Sequence, residues 1–373
     1  MTIRGVEATY VESGVRPLEE RGGIAPYRFG HGTLDTSDRI VVRLETDDGI
    51  EGWGELNPIL SPESTKSVIE NDIAEAVVGR DVWEVEAVLD EFSWVDPYMA
   101  NNPALGAVEM AMWDAYGKRL GEPVHRLLGG KCREEVPFAF CLGILDPERS
   151  RAKAREIREM GFTSIKTKGG RDWRQDVERI AAIHDEVGDE VDIRIDPNQN
   201  WSVEETVRAV SSLEDAGVRL EYIEQPIDVD KPGALKQLRS RLRTPIGANE
   251  DMYVPHNLST LTDADAIDVG VVDMIPAGGL LALKKMAAIA EEKAVSLTHH
   301  NSFDFGIKTA AILHVVASTP AYDLPPDTTY YALTDRFIDD PFEFDDGALP
   351  VPDEPGLGVT VDREAVERNE VSL

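Results

Sequence analysis

Six runs of alternating or apolar residues in this chain each close on an ionisable residue, and the closing residues come at nearly even intervals. They span residues 162–168, 192–196, 220–224, 245–250, 266–273 and 295–300. They end on Lys168, Asp196, Glu224, Glu250, Asp273 and His300, spaced 28, 28, 26, 23 and 27 residues apart. Each interval has room for one strand, one helix and two short loops. Six such units in succession predict a (β/α) barrel, with its chemistry at the C-terminal mouth where the strands end.

The rest of the chain fits around that barrel. A first strand is expected near residues 136–141, after Leu128-Gly129-Gly130, and an eighth near 321–324; helices such as 147–160 and 202–216 fill the intervals. Upstream, residues 3–11, 38–46 and 50–55 read as antiparallel strands, the last two joined by an Asp47-Asp48-Gly49 turn. Residues 12–37 are rich in Gly, Pro and charge, the composition of a lid over a site. Residues 62–92 and 103–120 have helical spacing; the alanine stripe through Ala104, Ala107, Ala111 and Ala115 predicts a closely packed helix. At 373 residues there is room for a barrel and a second domain. The boundaries expected are an N-terminal domain over 1–125, a barrel over 126–345, and a segment over 346–373 that packs back on the first domain.

Charge narrows the partners. The formal net charge is −32, with 70 acidic residues against 38 basic ones, of which only 12 are lysine. Such a surface repels nucleic acid. The acids are scattered, and molar salt, with a Debye length of about 3 Å, would screen them; the composition suggests a halophile's cytosol. Two cysteines, Cys132 and Cys141, suit neither a disulfide framework nor a zinc site. No run approaches the roughly 18 apolar residues of a membrane span, and the expected location is cytoplasmic.

Lys166 and Lys168 stand one residue apart, so in a strand they share a face, and their repulsion should lower the pKa of at least one. A lysine that loses its proton near neutrality is a base. Asp196, Glu224 and Glu250 are hard oxygen donors at successive strand ends, a set that favours Mg²⁺, with Mn²⁺ also accommodated. Asn249 is an alternative to Glu250, since neighbours on a strand face opposite ways. Asp273 beside a histidine, His299 or His300, would make a proton carrier suited to neutral pH.

With those residues placed, the chain resembles the enolase superfamily and, within it, the mandelate racemase subgroup. The resemblance runs through Asp48-Gly49-Ile50-Glu51-Gly52-Trp53-Gly54-Glu55, Trp113-Asp114-Ala115, Leu128-Gly129-Gly130 and the Lys-x-Lys pair. It continues through Asp196-x-Asn198-Gln199, Glu224-Gln225-Pro226, Gly278-Gly279 and Pro355-Gly356-Leu357-Gly358. It implies an α/β fold, a modified TIM barrel (β/α)₇β under an N-terminal α+β capping domain completed by the C-terminal tail, and a homo-oligomer from dimer to octamer. It also implies Mg²⁺ and abstraction of the proton α to a carboxylate. By resemblance, Lys168 is the base with Lys166 its partner, and Asp196, Glu224 and Glu250 hold the metal. Asp273 pairs with His300 rather than carrying the second lysine of the cycloisomerase and dipeptide-epimerase relatives. Asn198 and, on the eighth strand, Asp323 would bind substrate. The expected activity is dehydration of a sugar acid, an aldonate or aldarate, to a 2-keto-3-deoxy acid. Racemisation or epimerisation of a 2-hydroxy acid is the alternative, ahead of another β-elimination or cycloisomerisation and of a binding protein without chemistry.

Overall fold

The computed structural model describes residues 1–24, 27–29, 32–34, 36–58, 61–93, 99–170 and 172–373. The chain opens with an antiparallel sheet of β1 (Ile3–Gly14), β4 (Thr36–Thr46) and β5 (Glu51–Leu56), in the order β1-β4-β5. Gly49 closes the β4–β5 hairpin with φ +82°, the left-handed conformation that glycine adopts without a Cβ clash. Of the segment 12–37, expected to form a lid, residues 12–14, 27–29, 32–34 and 36–37 lie in strands, 15–24 form turns and isolated bridges, and residues 25, 26, 30, 31 and 35 lie outside the described residues. β1 runs on to Gly14, and a small hairpin, β2 (Tyr27–Phe29) with β3 (Gly32–Leu34), precedes β4.

The alanine stripe has its expected packing partner. The helix Asn102–Leu120 lies on β5, where a Cβ on Gly52 or Gly54 would sit 1.9 or 2.0 Å from the carbonyl oxygen of Ala111 or Ala107. Only glycine against alanine allows that approach. The helical spacing read over 62–92 is broken in the structure, which has helices at Pro62–Ser67, Ala74–Val77 and Val85–Ser93 with a π-helical turn at Val68–Ile73.

The long helix also ties the sheet to the barrel. Glu109, fully buried, accepts from Leu280 N at 2.8 Å, Leu281 N at 2.9 Å and Trp113 Nε1 at 2.7 Å. It thereby caps the helix Leu280–Lys293, whose own N-cap, Gly279, has no side chain to offer. Burial, against those hydrogen bonds, pushes its pKa up to about 7. Glu109→Ala strands two amides and an indole N–H, so a loss of about 2–4 kcal/mol is expected, read as a lower unfolding midpoint. A carboxyl whose folded pKa is raised contributes most below its unfolded value and loses that contribution as pH rises through 7. The gap between wild type and variant should therefore be wider at pH 5 than at pH 8; an equal or reversed gap would contradict the assignment.

β6 (Glu135–Pro137) pairs antiparallel with a strand near the C-terminus and stands outside the barrel. The barrel comprises β7 (Ala139–Leu142), β8 (Ser164–Lys168), β9 (Asp192–Asp196), β10 (Leu220–Glu224), β11 (Ile246–Ala248), β12 (Val269–Val272), β13 (Ser296–His299) and β14 (Asp327–Thr328). Its parallel order is β13-β12-β11-β10-β9-β8-β7-β14. Helices start where sequence chemistry starts them: Asp146 caps Pro147–Glu159, Asp172 caps Trp173–Val187, and Ser202 with Glu205 forms a capping box before Val203–Asp215.

The eighth strand is not at 321–324. That segment hydrogen-bonds to Leu297 of β13, through Ala321 O and Leu324 N. Pro325 and Pro326, which lack N–H donors, then carry the chain over to β7, where Asp327 and Thr328 pair with Ala139 and Phe140. β15 (Ala348–Pro350) is the partner of β6. Beyond it the tail returns to the N-terminal sheet and its long helix: Val371 N donates to Tyr10 O of β1 at 2.9 Å, and Leu357 N to Asp114 Oδ1 of the helix Asn102–Leu120 at 2.8 Å. The fold is the modified TIM barrel with its N-terminal capping domain. Among the described residues no helix is long and apolar enough to cross a membrane.

Candidate active site

Parallel register decides which side chains share the barrel interior. Lys168 is level with Asp196, Ile195 with Ile223, Glu224 with Gly247, Gly247 with Val269, and Val269 with Ser296. Residues in register face the same side, and so do residues two apart on one strand. Lys166, Lys168, Asp196 and Glu224 therefore face inward together. Asn249, Asp273 and His300 follow, each one residue past the end of its strand. Tyr222, Val269 and Val271 fill the lower interior, with Arg194 stacked over the Tyr222 ring at 5.0 Å.

The charged groups meet directly above that layer. Lys166 Nζ lies 2.6 Å from Glu224 Oε1, 2.7 Å from Asp327 Oδ2 and 3.4 Å from Asp196 Oδ2. Lys168 Nζ lies 2.6 Å from Asp196 Oδ2. The two lysines differ in access, with side chains 2% and 15% exposed for Lys166 and Lys168. Burial would lower the Lys166 pKa, but Asp327, Glu224 and Asp196 outweigh it and hold the group well above its ordinary value. The repulsion expected between the lysines thus does not govern Lys166, because three carboxylates surround it. Burial likewise works to raise Asp196, and Lys168 and Lys166 overcome it to keep that carboxyl below its usual range.

Above these groups is a cavity of about 340 Å³. Lys166, Lys168, Asn198, Asn249, Glu250 and His300 line it. Both Asn249 and Glu250 reach it, contrary to the expectation that neighbours face apart. The chain leaves the extended conformation at Asn249, with φ −115° and ψ −70°, and Glu250 opens a turn of 3₁₀ helix. Asn249 Nδ2 donates to Val271 O at 2.9 Å, leaving the amide oxygen for the cavity. Asn198 is placed as expected, its backbone N–H on Asp196 Oδ1 at 2.9 Å and its amide 3.4 Å from Glu250 Oε1.

A divalent cation suits this donor set. Glu224 Oε2 and Glu250 Oε2 are both buried without a hydrogen-bond partner, an arrangement that is costly unless a cation or water satisfies it. Among the described residues no three His, Cys, Asp or Glu side chains form a ready-made metal-holding group. Lys166 and Lys168 lie on the carboxylates of Glu224 and Asp196 instead.

On the other wall, His300 Nδ1 lies 3.4 Å from Asp273 Oδ2. His299 faces away and accepts from Met274 N through Nε2 at 3.1 Å; burial lowers its pKa to about 4. Of the two histidines, His300 is therefore the one at the cavity.

Asp323 is not there. It is exposed and accepts from Ser296 Oγ at 3.0 Å, at the opening residue of β13 and so at the far end of the barrel. The acid that β14 does contribute is Asp327, bound to Lys166 and, at 3.1 Å, to Arg194 Nη1. Sequence reading passed it over because the Pro325-Pro326 pair shifts the strand downstream. Lys308 is missed too; its available signal is a single lysine in a helix, Gly306–Ala317, that is apolar but for Lys308, Thr309 and His314.

Two family profiles match the chain: "Mandelate racemase / muconate lactonizing enzyme, N-terminal domain" over residues 13–129, and "Enolase C-terminal domain-like" over residues 149–365. The L-Ala-D/L-Glu epimerase of Bacillus subtilis is 29% identical over 343 residues, covering 90% of this chain and 92% of its own. Muconate cycloisomerase 1-1 of Acinetobacter lwoffii is 31% identical over 358 residues, 92% of each chain. The crystal structure of the N-succinyl Arg/Lys racemase from Bacillus cereus superposes with a TM-score of 0.90 at 26% identity, covering 100% of this chain and 99% of that one.

Proposed function

Because this chain belongs to the mandelate racemase / muconate lactonizing enzyme family of the enolase superfamily, we propose that it removes the α-proton of a small polyhydroxylated carboxylic acid and expels a β-hydroxyl group. The observation that carries this reading is one cavity lined by both Lys168, from the end of β8, and His300, from the end of the non-neighbouring β13. Beside Pro58, Cys141 and Phe303, the side chains of Asp38, Arg39, Asn57, Asn301, Ser302 and Thr329 offer hydrogen-bonding groups for substrate hydroxyls.

Asp196, Glu224 and Glu250 would hold Mg²⁺, with the Asn249 amide oxygen as a neutral donor from the same turn. When bound, the ion supplies positive charge against the developing negative charge of the substrate carboxylate. Lys168, once deprotonated, takes the α-proton on Nζ. Lys166, held as an ammonium, adds a fixed positive charge on the same side. Asp273 engages His300 Nδ1, which leaves Nε2 to face the substrate. A proton from Nε2 goes to the departing hydroxide as the C–O bond breaks; the electron pair of the former C–H bond becomes the C=C bond. Water leaves, and the enol tautomerises to a 2-keto-3-deoxy acid.

Racemisation or epimerisation is the second reading, and the names of the epimerase and racemase relatives favour it: His300 would then return a proton to the face opposite Lys168. A panel of aldonic and aldaric acids in D₂O, with Mg²⁺ and high KCl, tests both. Dehydration gives 2-keto product; epimerisation gives deuterium and inversion at the α-carbon without it. No exchange and no turnover with any acid would favour a binding protein.

A further inference from the structure

Lys308 has no part in the chemistry above, yet it is fully buried and its ammonium touches the dyad. Its Nζ lies 2.9 Å from Asp273 Oδ1 and 3.1 Å from Oδ2, closer than His300 at 3.4 Å. Asp304 Oδ1 holds it from the other side at 3.0 Å. Its backbone N–H donates to Glu55 Oε2 at 2.9 Å, and Phe305 N also donates to Glu55, so β5 of the capping domain fixes the helix turn that carries Lys308.

In a simple Asp–His pair the carboxylate charge is free to stabilise the imidazolium, which makes the histidine a stronger base. Here an ammonium straddles both carboxylate oxygens and offsets part of that charge. Resting on the assignment of Asp273 and His300 to the reaction, we propose that Lys308 is a positioning residue: it holds Asp273 as a fixed, charge-paired carboxylate and so makes His300 a proton donor rather than a strong base. Burial works to raise Asp273 and to lower Lys308, and each overcomes this in the other, leaving the carboxyl below and the amine above their ordinary values.

Other charges face His300 from the surrounding elements. Asp327 comes from β14, Tyr253 and Glu250 from the turn after β11, and Lys166 and Lys168 from β8. From the capping sheet, Arg39 approaches Glu55 at 3.7 Å and Asp304 at 3.8 Å. Among these, Lys308 is the cation bonded directly to the histidine's carboxylate partner.

The test is an NMR titration of the His300 imidazole, assigned by comparison with His300→Asn, together with the pH dependence of kcat. Lys308→Met, which keeps length and removes charge, should carry the imidazole signal and the alkaline limb of kcat together to higher pH. Lys308→Arg should titrate close to wild type. If Lys308→Met does not fold, Asp304→Asn supplies the opposite sign, since Lys308 freed from Asp304 pairs more fully with Asp273 and the His300 pKa falls. A folded variant whose His300 titration is unmoved overturns the inference. A moved titration with an unmoved kcat profile overturns the dyad's part in the reaction instead.

Discussion

Lys168→Ala is expected to lower turnover of every accepted acid by about 10³–10⁴-fold, the top of the range for a positioned general base. Solvent deuterium should also stop entering the α-carbon. The second measurement is the discriminating one. Loss of turnover alone could follow from disturbing Asp196, which accepts from Lys168 Nζ at 2.6 Å. Loss of exchange with the fold and substrate affinity intact places the fault at C–H cleavage. Lys166 would not serve as the test. Its ammonium is enclosed by Glu224, Asp327 and Asp196; Asp327 keeps Arg194 and Asp196 keeps Lys168, but its removal leaves the buried Glu224 carboxylate without a cation and endangers the fold. If Lys168→Ala still exchanged, at the wild-type rate, the α-proton that faces position 168, another group would have to be the base on that face.

The parts of the site legible in the sequence are those that strand periodicity controls. Lys168, Asp196 and Glu224 are the last residues of β8, β9 and β10, so an inward-facing ionisable residue at a strand end is visible as spacing. The reading weakened where backbone geometry departs from the period. β11 ends at Ala248, and the turn beginning at Asn249 brings two consecutive residues to one cavity, which no alternation rule anticipates. At β14 the Pro325-Pro326 crossing displaced the strand, and with it the acid, from Asp323 to Asp327. The Arg39–Glu55–Asp304–Lys308 cluster was not legible at all. Its members are up to hundreds of residues apart and meet only because the capping sheet lies on the helix Gly306–Ala317.

His300→Asn should leave a different remnant of activity from Lys168→Ala, because the two side chains enter the cavity from the ends of β13 and β8, which are not neighbours in the barrel. Turnover is expected to fall by about 10²–10³-fold, the share of a positioned general acid. The α-proton on the Lys168 face should still exchange. In a dehydratase the variant abstracts the proton and returns it, since hydroxide has lost its donor, so deuterium accumulates in unreacted acid with no 2-keto product. In an epimerase it exchanges one enantiomer and leaves the other untouched, since only Lys168 remains to remove a proton. Asp273→Asn should be a milder form of the same defect. Its amide can still meet His300 Nδ1, but the negative charge is gone, and Lys308 is left with Asp304 as its remaining carboxylate partner. Mass spectrometry of recovered substrate, read beside product formation, separates these outcomes. Near wild-type turnover in both variants would remove the dyad from the mechanism and leave proton transfer to the lysine side alone.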